Sequence, residues 1–290
     1  MSILRFKRTA ALLGAACALV ASRSDAATTV TQILPATITP AVGTWYESGV
    51  QAGGTIGIVD LTGVGGNLET AQPLPTGAGK ITTTSDNQSR AQAFTYADFG
   101  DAASFLSNVT LGYNYYKTTN PSNPSAAPSL KLNVQSLVGT GDNFGTLIYE
   151  PYWNQSPGDL VPDADAWQAA SIPANAGSGD DNHGGWWWSG GFEIGSGAGG
   201  PPLRSLTEWV TAFQGSDPTD FATARVTAIG IGEGTFNTNE VSYFDNISYA
   251  VIGGPSETWD FQAIPEPASL AMAGVAAIAG LAVRRKARRA

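Results

Sequence analysis

Val109-Thr110-Leu111-Gly112-Tyr113-Asn114-Tyr115 places a large apolar side chain at every second position, with Thr110, Gly112 and Asn114 between them. Successive side chains of a strand point to opposite faces, so this period of two predicts a strand with one buried face. The alternation returns where Leu130, Leu132 and Val134 oppose Ser129, Lys131, Asn133 and Gln135. Working outward, strands are expected at 55–61, 80–84, 91–96, 146–152, 186–194, 225–231, 241–251 and 258–261. Turns rich in Gly, Pro, Asn and Asp divide them. Ser205-Leu206-Thr207-Glu208 is a capping-box pattern that opens a short helix running through Phe213. No internal repeat of the solenoid or propeller kind is visible. The expected fold is all-β, a two-sheet jelly-roll-type β-sandwich with one short helix.

Both ends of the chain read differently from this body. Arg5, Lys7 and Arg8 precede the apolar run 10–21, and Ser24-Asp25-Ala26 sets small residues at the −3 and −1 positions of a cut after Ala26. That order is a secretory signal peptide, and the apolar run is too short to span a bilayer. At the other end, Pro265-Glu266-Pro267 precedes the uncharged stretch 268–283, then Arg284, Arg285, Lys286, Arg288 and Arg289. As a helix this stretch would be roughly 24 Å long, usable as an anchor with arginine snorkelling. The basic cluster would stay cytoplasmic and leave the body outside. The expected organisation is a signal peptide at 1–26, a β-sandwich ectodomain at 27–262 and a sorting and anchor segment at 263–290.

Residues 264–290 resemble the PEP-CTERM sorting signal of Gram-negative bacteria. The resemblance implies a transient inner-membrane anchor, processing near Pro265, Glu266 and Pro267 by an exosortase-type enzyme, and delivery to the cell surface or the exopolysaccharide matrix. Residues 144–152, 186–188, 206–209 and Tyr243-Phe244-Asp245-Asn246-Ile247 resemble a jelly-roll ectodomain found ahead of such tails. The last of these is also similar to the closing strand of carbohydrate-binding jelly rolls, which implies that Asp245 ligates a structural Ca²⁺.

Composition narrows the chemistry. Of 15 basic residues only six lie between the two terminal segments, against 22 of the 24 acidic ones, so the body carries about −16. Such a field repels nucleic acid and anionic membrane and attracts cations. The single cysteine, Cys17, lies in the leader, which leaves the body without disulfides or thiolate metal sites. His183 is the only histidine, so a Ser-His-Asp triad has one candidate base, set in an acidic glycine-rich loop. Glu150, Glu193, Glu208 and Glu240 are the carboxylates considered for glycoside hydrolysis, and none sits in a closely spaced strand pair.

All eight tryptophans lie in the body. In a strand Trp187 faces away from Trp186 and Trp188, so the three cannot all be core. An indole at the surface could stack on a sugar, whereas inward ones fill a wide core. For calcium, Asp159, Asp163 and Asp165 form one acidic cluster, Asp180, Asp181 and Asn182 a second, and Asp245 stands as the third candidate. The reading is a non-enzymatic surface or matrix protein, with Trp186, Trp187 and Trp188 as candidate glycan contacts and no required cofactor. The alternatives are a purely structural acidic matrix component and, less favoured, a glycoside hydrolase or lyase.

Overall fold

A computed structural model describes residues 26–120, 122–138, 142–155, 161–177 and 183–264. The leader 1–25, Pro265, Glu266 and Pro267, the basic cluster 284–289, Asp159, and Asp180, Asp181 and Asn182 lie outside the described residues. Among the described residues no helix is long and apolar enough to cross a membrane.

Thirteen strands are described. In the first half of the chain they are β1 (Thr28–Val30), β2 (Trp45–Gln51), β3 (Thr55–Asp60), β4 (Gly77–Thr82), β5 (Arg90–Asp101) and β6 (Val109–Lys117). The remainder are β7 (Ser129–Ser136), β8 (Phe144–Tyr149), β9 (Trp167–Pro173), β10 (Trp187–Trp188), β11 (Ala224–Glu233), β12 (Val241–Val251) and β13 (Ser256–Phe261). The six-stranded sheet runs β10-β8-β7-β11-β5-β2, antiparallel throughout. The seven-stranded sheet is organised by β12, which pairs β6 along one side. On its other side β12 pairs β4 through Val241–Phe244 and then β13 through Ile247–Ala250. β3 flanks β4, β9 flanks β6, and β1 runs parallel to β13.

β6 carries the expected alternation: Val109, Leu111, Tyr113 and Tyr115 are buried, while Thr110 is exposed and Gly112 and Asn114 half-buried. On β7, Leu130, Leu132 and Val134 are core as the pattern requires. Its opposite face is less open than the alternation suggests, since Ser129 and Lys131 are buried too.

The sandwich core is aromatic. Trp45 meets Trp259 edge to face at 5.5 Å and Phe261 at 5.1 Å. A second cluster gathers Trp188, Phe192, Trp209, Phe213 and Phe221 beside a helix, with Trp209 stacked on Phe213 at 5.5 Å. Rings offset or tilted in this way suit the quadrupoles of neighbouring π systems.

The expectation of one helix is corrected to four among the described residues: α1 (Gly66–Thr70), α2 (Ala102–Asn108), α3 (Leu206–Ser216) and α4 (Pro218–Phe221). α3 opens on the capping box read from sequence, with Glu208 N–H donating to Ser205 Oγ at 3.2 Å and Ser205 N–H to Glu208 Oε2 at 2.8 Å. α2 is capped by Asp101, which accepts from Ser104 N–H at 2.8 Å and sits on the last residue of a strand. Two expected strands are shorter than read. β8 stops at Tyr149 because Pro151 lacks an N–H and starts a 3₁₀ turn. The segment 186–194 is strand only at Trp187 and Trp188, because Gly190, Gly191, Phe192 and Glu193 all take positive φ and curl the chain.

Candidate functional site

The outer face of the six-stranded sheet holds a groove of about 520 Å³. It crosses from Arg90, Gln92 and Phe94 on β5 to Trp187 on β10, which over four strand intervals is roughly 19 Å. The concavity comes from β11. Ile229 and Ile231 face the core, so Gly230 and Gly232 face outward. A Cβ on Gly230 would stand 2.4 Å from the Phe94 ring, and one on Gly232 would stand 2.2 Å from Gln92 Cβ. The two glycines therefore let Phe94 and Gln92 lie across the sheet floor.

Lys131 and Thr146 project from the next strands, and Glu150 closes the floor after β8. Lys131 donates to Ser129 Oγ at 2.6 Å, and Ser129 donates onward to Gly232 O at 2.7 Å. Arg90 Nε donates to Gly49 O at 2.7 Å. Burial pushes the Lys131 ammonium down to about 8, while Glu150 and Glu233 act to keep it charged. Burial also raises the Glu150 carboxyl, against the pull of Lys131 and of the polar groups of Tyr152 and Trp187 beside it. None of these closes a hydrogen bond to Glu150 Oε2, and Trp187 Nε1 is likewise without an acceptor.

Two loops form the walls. One carries Ala198 and Gly199, fixed where Tyr152 Oη and Trp153 Nε1 both donate to Gly199 O at 3.0 Å. The other, residues 234–240 between β11 and β12, presents Gly234, Thr235 and the exposed ring of Phe236.

The tryptophan run divides as strand parity requires. Trp186 and Trp188 have no exposed surface. Trp186 packs on Tyr149, and Trp188 donates its indole N–H to Gly191 O at 3.0 Å. They belong to the core, and Trp187 alone of the three, half-buried, reaches the groove. Its partners Phe94, Phe236, Lys131, Arg90 and Gln92 were not singled out from sequence. The Gly-Ile-Gly pattern 230–232 was the available signal, since glycines alternating with core residues on a strand mark a close approach over its outer face.

The carboxylates considered for catalysis are dispersed. Glu208 is spent on the capping box, and Glu193 lies on the curled turn after β10. Glu240 is fully buried next to Glu233, a residue sequence reading did not pick out. Glu150 is thus the carboxylate among the described groove-lining residues, where two-carboxylate hydrolysis asks for two. His183 is half-buried in the loop ahead of β10, away from the groove lining.

Asp245 sits where β12 changes partner, at a register shift with Asn246 at φ 52°. Its Oδ1 accepts from Phe261 N–H at 3.0 Å, and its Oδ2 is buried with no partner. Asp260 Oδ1 is also buried and unpartnered. Burial pushes the Asp245 carboxyl up to about 7 and Asp260 adds to the rise, against the pull of the Phe261, Asn246 and Leu74 N–H groups. Among the described residues no three His, Cys, Asp or Glu side chains converge here, so a cation at Asp245 would draw the rest of its shell from carbonyls or water. Asp165, from the first acidic cluster, accepts from Thr119 N–H at 3.2 Å and from the Thr119 hydroxyl, a staple between loops.

Comparison with known proteins addresses the tail and the body separately. The PEP-CTERM protein-sorting motif matches residues 263–286. No curated protein matches the chain. Among solved structures, the family 11 carbohydrate-binding module of cellulosomal cellulase Lic26A-Cel5E of Clostridium thermocellum is 12% identical, with 73% of this chain and 89% of that chain covered and a TM-score of 0.38. The same organism's family 11 module in complex with a β-1,3-1,4-mixed-linked tetrasaccharide is 11% identical over 77% and 93%, at a TM-score of 0.37. A mutant of ENZbleach xylanase is 13% identical over 79% and 87%, at 0.35. The chain carries, at residues 263–286, the PEP-CTERM motif of exported, sorted proteins, immediately behind a two-sheet β-sandwich.

Proposed function

We propose that this is a non-enzymatic surface or matrix protein whose jelly-roll-type sandwich holds a glycan chain in the groove across the six-stranded sheet. The observation that carries this reading is the groove itself, with Trp187, Phe94 and Phe236 set among Gln92, Arg90, Lys131, Thr146 and Glu150. Sugars offer apolar C–H faces to aromatic rings and hydroxyls to polar side chains, the two kinds of surface this trough presents. In this reading an exosortase-type enzyme processes the tail near Pro265, Glu266 and Pro267. The stretch 268–283, stopped by Arg284, Arg285, Lys286, Arg288 and Arg289, serves as the passing inner-membrane anchor. A structural Ca²⁺ held by Asp245, with Asp260 beside it, would supply the charge that their unpartnered oxygens lack. A glycan array probed with wild type and Trp187→Ala tests the proposal. Binding that weakens in the variant supports it, and no binding, or binding indifferent to Trp187, overturns it.

The body's charge of about −16 favours a second reading, an acidic matrix component that associates through bridging cations. Self-association that requires millimolar Ca²⁺ and ignores Trp187 would select this reading over the first.

A further inference from the structure

The groove wall formed by residues 234–240 is rooted on two buried carboxyls. Glu233 ends β11 and Glu240 precedes β12, so the pair brackets the loop, and neither has exposed surface. Asn237 Nδ2 donates to Glu233 Oε2 at 3.1 Å and Ser242 Oγ to Glu233 Oε1 at 3.2 Å. Asn120 Nδ2 donates to Glu240 Oε2 at 3.1 Å and also reaches Thr238 O and Asn239 O, at 2.9 and 3.2 Å. Glu240 Oε1 is buried with no partner. Above them the loop is tied down through Phe236 N–H to Asn87 O at 2.8 Å, Asn239 N–H to Thr84 O at 2.9 Å and Glu240 N–H to Thr83 Oγ1 at 2.9 Å.

Two like charges cannot both be held in so dry a place unless cations meet them. The charged and titratable groups facing the pair are Lys117 on β6, Lys131 on β7, Glu150 after β8 and the Tyr113 hydroxyl, with Asp165 beyond Lys117. Both lysines point their ammonium elsewhere, Lys117 to Pro124 O and Lys131 to Ser129 Oγ, and among the described residues no ion pair joins either to a glutamate. Glu150 adds a third negative group rather than relief. Lys131 pulls on Glu233 and Lys117 on Glu240 without closing an ion pair, so each offsets only part of the charge and a proton supplies the rest.

We propose that Glu233 and Glu240 form a proton latch for the groove wall, closed while the pair retains a proton and loosened once both carboxyls are ionised. Burial raises both carboxyls, Glu240 to about 7, and the Glu240 charge raises Glu233 further, so the two titrate as a unit. The folded values lie above the ordinary carboxylate value. The latch is therefore fully set in mild acid, still holds one proton when Glu240 alone has ionised near 7, and is lost as pH rises further and Glu233 ionises too. Phe236 rides on this loop, so the same titration moves an aromatic edge of the trough.

Amide hydrogen exchange on the whole protein tests this without any ligand. After correction for intrinsic rates, protection of the Phe236, Asn239 and Glu240 amides should fall by at least about tenfold more than that of Leu132 in β7 between pH 5 and pH 9. Glu240→Gln keeps the shape and removes the charge, and should hold these amides at their acid-side protection at both pH values. Glu233→Gln should do the same if Glu240→Gln folds poorly. Protection independent of pH in the wild type overturns the latch, as does an equal fall in the folded Gln variants.

Discussion

Asp245 Oδ1 accepts the Phe261 backbone N–H at 3.0 Å, at the point where β12 leaves β4 and takes up β13. The side chain stands in for a ladder partner at the junction, satisfying a strand N–H that the partner exchange would otherwise strand. Its second oxygen is left buried and bare. The junction thus depends on a proton or a cation to be comfortable.

The sign of the resulting pH dependence follows from the raised carboxyl. Asp245 titrates near 7 when folded and near 3.9 when unfolded, so its stabilising share is complete in acid and lost as pH climbs through that window. Chemical denaturation in the absence of divalent ions should show stability declining by up to about 1.4 kcal/mol per pH unit from this group between pH 4 and 7. Asp245→Asn should flatten that part of the profile. An unchanged slope in the variant would remove Asp245 from the account.

Calcium should take over the proton's stabilising role at the same oxygens once Asp245 is ionised. Saturating Ca²⁺ at pH 7.5 is expected to raise Tm in the wild type, and Asp245→Ala should abolish the rise. A shift of equal size in both proteins would place the ion elsewhere.

Neighbouring tryptophans should give opposite phenotypes. Trp187→Ala is expected to cost about 2 kcal/mol of glycan binding, some 30-fold, with little effect on folding. Trp188→Ala empties a fully buried site beside Phe192, Trp209 and Phe213, and should cost about 3–5 kcal/mol of stability by denaturant titration.

Gly230→Ala places a methyl 2.4 Å from the Phe94 ring. Lifting that ring is expected to cost about 1–3 kcal/mol and to weaken glycan binding together with stability. Calorimetric binding and thermal melts on one preparation check both at once.

Much of this architecture could be read before any coordinates. Residues 241–251 form β12 with the expected bounds, and Ser205 and Glu208 cap α3 as their spacing foretells, because both signals are local. The parity of Trp186, Trp187 and Trp188 was equally local. β9 escaped because Gln168-Ala169-Ala170-Ser171 has no alternation: an edge strand buries little and need not announce a face. β2 escaped because Trp45 and Tyr46 are both buried, Trp45 in the core and Tyr46 beside the Leu34 segment that bridges to it, which breaks the period of two. The groove was illegible for a different reason. Arg90, Lys131, Glu150, Trp187 and Phe236 come from five separate segments and meet only through the order of the strands. The pairing of Glu233 with Glu240 is closer in sequence, yet only burial turns two ordinary acids into a coupled site.

The last strand, β13, ends at Phe261, two residues before the sorting motif begins at 263. It is gripped on both sides, by β12 antiparallel and by β1 parallel, and the Thr28 hydroxyl donates to Glu257 across 229 positions of sequence. A tether attached at the motif would deliver its pull straight into β13 along the strand axis. The two flanking ladders would then be loaded in shear, all bonds together, rather than peeled one at a time. The fold thus meets a pull at that end with a strand held along both edges.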